Sequence, residues 1–415
     1  MTGNRRYLRL GKEPDPDQEL ICEFQVTSKL PFETAAEAVA DESSVGTWTT
    51  VSTMEDEILE NLGAKVISID EEKNWIQVIY PQDLFEQGNI AQILSCIAGN
   101  IFGMKAVQRL KLFDVSFPPA LLDSFDGPQL GVEGIHRLLK IKEPRPLLGT
   151  IIKPKVGLNA KRHAEVAYEA YRGGIDLVKD DENLSNQKFC PFEDRVVATL
   201  EKTDQIREET GREVIYAANI SASADVMLER AEFVKEHGGT CIMIDFVTVG
   251  YSSLQYIRKQ NFGLAIHGHR AMHAALDRIP NHGISMMVLA KFARLGGVDL
   301  LHTGTIVGKM EGEREDITRI NQFLQGKWSK HKPVMPVASG GLHPGFTPRL
   351  YEYLGPNMLF NYGGGCHGHP DGTRAGGVAL MQSLEASLQG IDLFEYAKDH
   401  PELARALDKW KETAW

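Results

Sequence analysis

Residues 147–183, LLGTIIKPKVGLNAKRHAEVAYEAYRGGIDLVKDDEN, hold one complete structural unit and set the period of most of the chain. Leu147–Ile152 is an apolar run of strand length that ends in Lys153-Pro154-Lys155. Lys161–Tyr171 follows with apolar residues at three- and four-residue spacing, as in a helix with one buried face. Gly173-Gly174 then stops that helix, because glycine enters the left-handed conformation at no steric cost. Ile175–Lys179 is a second apolar run, and it ends in Asp180-Asp181-Glu182.

The alternation continues downstream. Further strand-length runs are Val214–Asn219, Cys241–Phe246, Leu264–His267, Asp299–His302, Val334–Ala338 and Met358–Tyr362. Helical patterns occupy Ala224–His237, Ile284–Leu295 and Gly376–Leu388, with Gly238-Gly239 and Gly296-Gly297 as further stops. Eight strand–helix units are the number that closes a parallel (β/α)8 TIM barrel. The competing doubly wound sheet lacks support, since no G-x-G-x-x-G follows the first strand. Upstream the pattern changes: Glu19–Val26, Gly63–Asp70 and Trp75–Tyr80 read as strands, Phe32–Ser43 and Ile90–Cys96 as helices. Asp70–Asn74 reads as a hairpin turn. The expectation is an N-terminal α+β domain over 1–135 and a catalytic barrel over 136–415.

At 415 residues the chain has room for two domains, and a net charge of −11 with a pI near 5.7 argues against a general nucleic-acid binder. An anionic substrate would need a local cluster of Lys, Arg and backbone N–H groups. The five cysteines are scattered without a C-x-x-C pair, which suits a reducing cytosol. No apolar run approaches the length of a membrane span, and the basic start has no apolar stretch behind it, so a cytoplasmic protein without membrane association is expected.

Barrel enzymes place their chemistry at the C-terminal ends of the strands. Here those ends carry Lys153 and Lys155 on the first strand and Lys179, Asp181 and Glu182 on the second. The fifth carries His269 and Arg270 within His267-Gly268-His269-Arg270, and the sixth carries His302, leading into Lys309. Ser339-Gly340-Gly341 and Gly363-Gly364-Gly365 close the seventh and eighth. Alternation puts Lys179 and Asp181 on one face, with Glu182 turning in. Two carboxylates suit an oxygen-seeking cation such as Mg²⁺; alone, the same residues would make an ordinary solvated salt-bridge loop. The lysine is the odd member, and capture of CO₂ as a carbamate would turn it into a third oxygen ligand. The glycine-rich ends fit a phosphate cradle, with the tight-turn role as the plain alternative. Arg270 and His302 could hold a second phosphate. Cys366-His367-Gly368-His369 has no matching second pair and is not read as a zinc site.

The segments ESSVGTWTTV, GNIFGMKAV, IKPKVGL, GGIDLVKDDEN, HRAMHAALDR, HTGTIVGKMEG, VASGGLHPG and GGGCHGHPDGTRAG together resemble the ribulose-1,5-bisphosphate carboxylase/oxygenase (Rubisco) large subunits, over essentially the whole chain. GLHPG, HGHPDGTRAG and the short C-terminus look most like the archaeal-type form III enzymes. The resemblance implies a TIM barrel behind a ferredoxin-like α+β domain, and a carboxy-lyase that fixes CO₂ onto ribulose 1,5-bisphosphate with an oxygenase side activity. It implies Mg²⁺ held by Asp181, Glu182 and carbamylated Lys179, and proton transfer by Lys153. His269 would act as acid–base group, and Lys309 would stabilise the developing carboxylate. Lys155, Arg270, His302 and Ser339 would bind substrate, with Gly340, Gly341, Gly363 and Gly364 at phosphate. Glu42, Thr47, Trp48 and Asn100 would reach into the site of a partner subunit, making a homodimer, or an oligomer of dimers, the working unit; no small subunit is inferred. Two metabolic settings are open, the Calvin cycle and nucleotide-ribose salvage. Ile151 stands where many plant-type members carry a substrate-contacting threonine, so that role is not carried over. The rival reading is a Rubisco-like enolase or isomerase of a methylthio-sugar phosphate, but such relatives alter several of these positions.

Overall fold

The computed structural model describes residues 6–47, 49, 51–307 and 314–411. They divide into two compact units, one comprising the chain to Asp126 together with Met272–Gly296, the other Gly127–Ala271 together with Gly297 onward.

In the first unit, β1 (Glu19–Thr27) pairs antiparallel with β3 (Trp75–Pro81) and β4 (Arg109–Ser116), and β2 (Lys65–Asp70) pairs with β3. The alternation that makes β1 a strand is visible in its burial: Leu20, Cys22, Phe24 and Val26 are buried, and the residues between them are half-buried. The β2–β3 hairpin closes as the Asp70–Asn74 turn requires, with Asp70 opposite Trp75. Two strands of this sheet escape the sequence reading. One is β4; the other is Gly283–Ile284, which pairs with Lys111 and Leu112 of β4. Ile284, read above as helical, is therefore a strand residue, and the helix begins at Met286.

The second unit is a closed barrel of eight parallel strands. In chain order these are β5 (Leu147–Ile151), β6 (Leu177–Lys179), β7 (Ile215–Asn219), β8 (Cys241–Asp245) and β9 (Ala265–His269). After Gly283–Ile284, which counts as β10, come β11 (Leu300–His302), β12 (Met335–Ser339) and β13 (Leu359–Tyr362). β13 closes the ring on β5, with Leu359 opposite Leu147. Each strand alternates between the two layers that flank it. Leu147, Leu177, Ile215, Cys241, Leu300 and Leu359 pack with Met335 inside the ring. Leu148, Val178 and Phe360 turn outward against Ala167 and Tyr171 of one helix and Leu380 and Leu384 of another. A packed apolar floor thus blocks the barrel's N-terminal end, and function is confined to the other end.

Each Gly-Gly stop supplies one left-handed residue, Gly174 (φ +104°), Gly238 (φ +80°) and Gly297 (φ +98°). All five cysteines are free thiols, and no helix among the described residues is long and apolar enough to cross a membrane.

Candidate active site

Above the apolar floor the inward positions change character. The next inward residues along the strands include Lys179 on β6, Met243 on β8, His267 on β9, His302 on β11 and Asn361 on β13, all buried. One step higher stand Asp245, His269 and Ser339. Six strands therefore deliver polar side chains to one end of one barrel.

Lys179 is fully buried; its Nζ donates to the Asp180 carbonyl at 2.7 Å and lies 3.4 Å from Met243 Sδ. Burial lowers its pKa from the ordinary lysine value, and the nearby carboxylates of Glu182 and Asp181 oppose that shift without cancelling it. Glu182 Oε2 is 3.9 Å from the amine. Asp181 accepts from Lys153 Nζ at 2.8 Å and from the side-chain and backbone N–H groups of Asn183 at 2.9 and 3.2 Å. Burial works to raise the Asp181 pKa, but these donors outweigh it and hold the carboxyl below its usual value. Asn219 at the end of β7 fixes the same loop from beneath, its side-chain N–H donating to the carbonyls of Glu182 and Leu184.

Asp180, between the two predicted ligands in sequence, points the other way. It meets Arg195 Nε at 3.1 Å, His163 Nε2 at 3.1 Å, Tyr216 Oη at 2.7 Å and the Asn219 N–H at 2.9 Å, all buried. The period-two reading of this strand end is thereby realised: Lys179 faces in and Asp180 faces the helix layer.

His269 Nδ1 stands 3.0 Å from Asp245 Oδ1 and 3.2 Å from the Ala271 N–H. Nδ1 accepts from the Ala271 N–H, and the Asp245 carboxylate lies beside the same ring edge without a hydrogen bond to it. Nε2, on the far side of the ring, lies 3.6 Å from Glu182. Burial lowers the His269 pKa, and Asp245 only partly restores it. His302 packs edge-on against His269, with ring centroids 4.6 Å apart, and places Nδ1 2.9 Å from Ser339 Oγ. Burial pushes the His302 pKa well down.

The glycine-rich ends meet backbone to backbone. A Cβ on Gly365 would lie 2.1 Å from the Leu342 carbonyl oxygen, so only glycine lets the turn after β13 close on the turn after β12. Gly340 (φ +120°) and Gly341 (φ +73°) hold that second turn open, and Gly363 lies beside Lys153. Lys155 is exposed on the loop after β5, and Arg270 is half-buried beside Gly304.

In the first unit, Asn100 Nδ2 donates to Glu42 Oε1 at 3.4 Å, and both line an open cavity of about 520 Å³ with Gly99, Gly103 and Met104. Thr47 is exposed. Trp48 and Lys309 lie outside the described residues. Asp245, Asn183, Asn219 and His267 were not singled out from sequence. Alternation from His269 would have placed His267 inward, and Asp245 ends a strand-length run.

Among the described residues no group of three or more His, Cys, Asp and Glu side chains stands ready to hold a metal. The donors present are two carboxylates and an amine biased toward its neutral form, with Lys153 Nζ 2.8 Å from Asp181. That set fits a hard divalent ion once the amine becomes an anion.

Fold and site define a (β/α)8-barrel enzyme with its chemistry at the strand C-termini. The chain matches the models of the ribulose bisphosphate carboxylase large chain, with the N-terminal domain over residues 6–121 and the catalytic domain over 131–410. It belongs to that family. It is 48% identical to a ribulose bisphosphate carboxylase of Pyrococcus furiosus, covering 97% of each chain, and 44% identical to that of Methanosarcina mazei, covering 98% of this chain and 99% of the relative. The structure is similar to the octameric Rubisco of Pyrococcus horikoshii, with a TM-score of 0.95 at 45% identity, covering 99% of this chain and 97% of that one. It is also similar to a dimeric archaeal Rubisco from Hyperthermus butylicus, with a TM-score of 0.92 at 42% identity, covering 98% and 99%.

Proposed function

We propose that this chain is a ribulose bisphosphate carboxylase, which enolises ribulose 1,5-bisphosphate, adds CO₂, and hydrates and cleaves the adduct to two 3-phosphoglycerates. The observation that carries the reading is Lys179: a fully buried amine, its pKa depressed, beside two carboxylates at a barrel strand end.

A neutral amine is the nucleophile that CO₂ requires, and the resulting carbamate, with Asp181 and Glu182, would hold Mg²⁺. When bound, that ion supplies Lewis-acid polarisation of the substrate carbonyl. Lys153, which donates to Asp181, is assigned to proton transfer at the substrate. His269, with Nδ1 fixed by the Ala271 N–H and the Asp245 carboxylate beside it, is assigned to the substrate hydroxyl as acid–base group. His302 and Ser339 orient the substrate, with Arg270 and Lys155 as cations around it. Gly340, Gly341, Gly363 and Gly364 are assigned to phosphate through their backbone N–H groups. Lys309 is assigned to the new carboxylate. O₂ competes for the same enediolate as a side reaction.

Glu42, Thr47, Trp48 and Asn100 are assigned to a neighbouring subunit's site. The expected assembly is a dimer or an oligomer of dimers; the Hyperthermus enzyme is dimeric and the Pyrococcus horikoshii enzyme octameric. The test supplies ribulose bisphosphate, Mg²⁺ and labelled bicarbonate. Acid-stable label in 3-phosphoglycerate is expected. A methylthio-sugar phosphate enolase would leave that product unlabelled, and such a result would remove the proposal.

A further inference from the structure

His267 has no part in the reaction described above, yet it is the deepest member of a hydrogen-bonded chain that ends in the substrate site. It is fully buried inside the barrel, and its Nε2 lies 2.8 Å from His302 Nε2, the rings meeting edge to face at 4.9 Å. His302 Nδ1 in turn lies 2.9 Å from Ser339 Oγ. We propose that His267 is a positioning residue that locks His302 in its Nδ1–H tautomer and so turns the Ser339 hydroxyl proton outward, toward the substrate. The inference rests on the assignment of Ser339 and His302 to substrate binding.

Two imidazole nitrogens at this separation share one proton: two N–H groups would collide and two lone pairs would repel. Burial keeps both rings neutral. Only two arrangements of the chain remain. In the first, His267 donates from Nε2, His302 accepts at Nε2 and donates from Nδ1 to Ser339 Oγ, and the serine proton is left over for the substrate. In the second, every bond runs backward. Ser339 spends its proton on His302, and His267 carries its proton on Nδ1.

The far nitrogen decides between them. His267 Nδ1 is buried and has no hydrogen-bond partner among the described residues. The second arrangement would bury an unpaired N–H there; the first leaves only an unused lone pair. Orphaned buried donors are rarer and costlier than under-used acceptors. The first arrangement therefore holds. Ser339 faces the mouth as a donor, strengthened by the N–H it accepts, which suits an anionic or carbonyl oxygen of the sugar bisphosphate. His267 touches no substrate; it acts through His302.

The test combines a measurement that needs no turnover with one that does. In protein carrying labelled histidine, imidazole ¹⁵N and ¹³C shifts by solid-state NMR report each tautomer, with the His302 signal assigned by its loss in His302→Gln. Wild type should show His302 protonated on Nδ1; protonation on Nε2 overturns the proposal whatever the kinetics. In the carboxylation assay, His267→Leu should raise KM for ribulose bisphosphate about tenfold with kcat and CO₂-dependent Mg²⁺ binding little changed. His267→Gln, whose amide N–H can still reach His302, should restore most of the affinity. In a Ser339→Ala background, His267→Leu should add less than about twofold, because the chain then has no end to direct. A full tenfold penalty in that background overturns the relay. Absence of carboxylation in wild type would sink the functional assignment instead, while the NMR result would still stand or fall by itself.

Discussion

Asp180 and Asp181 are adjacent carboxylates, both buried, yet removing their charges should have opposite consequences. Asp180 is the counter-ion of Arg195, and both side chains are 0% exposed. Asp180→Asn keeps the shape but leaves the guanidinium buried without its carboxylate. Breaking a buried pair in this way costs about 3–5 kcal/mol. At roughly 2–4 °C per kcal/mol for a unit of this size, the melting temperature should fall by about 10 °C. Asp181 pairs with Lys153, whose side chain is 29% exposed, so the ammonium turns to water when its partner is lost. Asp181→Asn should therefore shift the melting temperature by less than about 3 °C, in line with the small worth of solvent-screened pairs, while abolishing CO₂-dependent Mg²⁺ binding. Thermal unfolding followed by circular dichroism, with calorimetric Mg²⁺ titration in bicarbonate buffer, separates the two. An Asp180→Asn protein that melts within about 2 °C of wild type would refute the account of this strand end.

Lys179→Met should eliminate CO₂-dependent Mg²⁺ binding and carboxylation without lowering the melting temperature, since a thioether replaces an amine that burial penalises; a lower melting temperature would contradict that reasoning. Gly304→Ala should cost about 1–3 kcal/mol of backbone strain, because Gly304 sits at φ +102°. Its methyl would also meet Arg270 Nη2 at 2.8 Å, so KM for ribulose bisphosphate should rise, and a wild-type KM with a wild-type melting temperature would argue against it. His343 and His367 are each lowered by burial to a pKa of about 4. The fold therefore favours their neutral forms. Their contribution is whole above the unfolded value of about 6.5 and is lost as pH falls toward 4. Melting temperatures measured across that window should decline, and His367→Gln should flatten the decline.

The barrel was legible because each strand carries its own signal. An apolar run followed by a polar end needs no knowledge of the neighbouring strand, and counting such runs reaches eight. The direction of Lys179 and the opposite direction of Asp180 followed from alternation alone. What stayed hidden was whatever depends on closure. Asp245 matters because β8 lies beside β9 and brings it to His269, and Asn219 matters because β7 lies beside β6 and brings it under the Glu182 loop. The strand Gly283–Ile284 was illegible for the same reason: two residues acquire strand geometry only by pairing with β4, more than 160 positions away. Glu42 and Asn100 carry no local signal of function, and only the family resemblance pointed to them. The structure then places them within 3.4 Å of each other.

If Lys179 is the proposed cation ligand, the arrangement of polarity inside the barrel accounts for a lysine where a third acid would coordinate more directly. A third carboxylate at the depth of Lys179, fully buried beside Asp181 and Glu182, would add like charge in a poorly solvated site and would be pushed toward its protonated form. An amine at that depth has the opposite problem and the opposite remedy. Desolvation favours its neutral form, so the polypeptide can fold with no third anion to accommodate. Under the proposed carbamate, the charge would be added after folding, from CO₂, when a cation is available to neutralise it. Met243 and the two imidazoles of His267 and His302, all uncharged at neutral pH, form the neighbourhood that makes this ordering work. Met243→Glu should break it without touching a proposed ligand. The new carboxylate, 3.4 Å from the amine if it takes the place of the sulfur, would hold Lys179 as an ammonium by direct ion pairing. Activation by CO₂ should then require a markedly higher pH than in wild type. A Met243→Glu protein that folds and activates with the wild-type pH profile would show that desolvation of Lys179 is not what prepares it for CO₂.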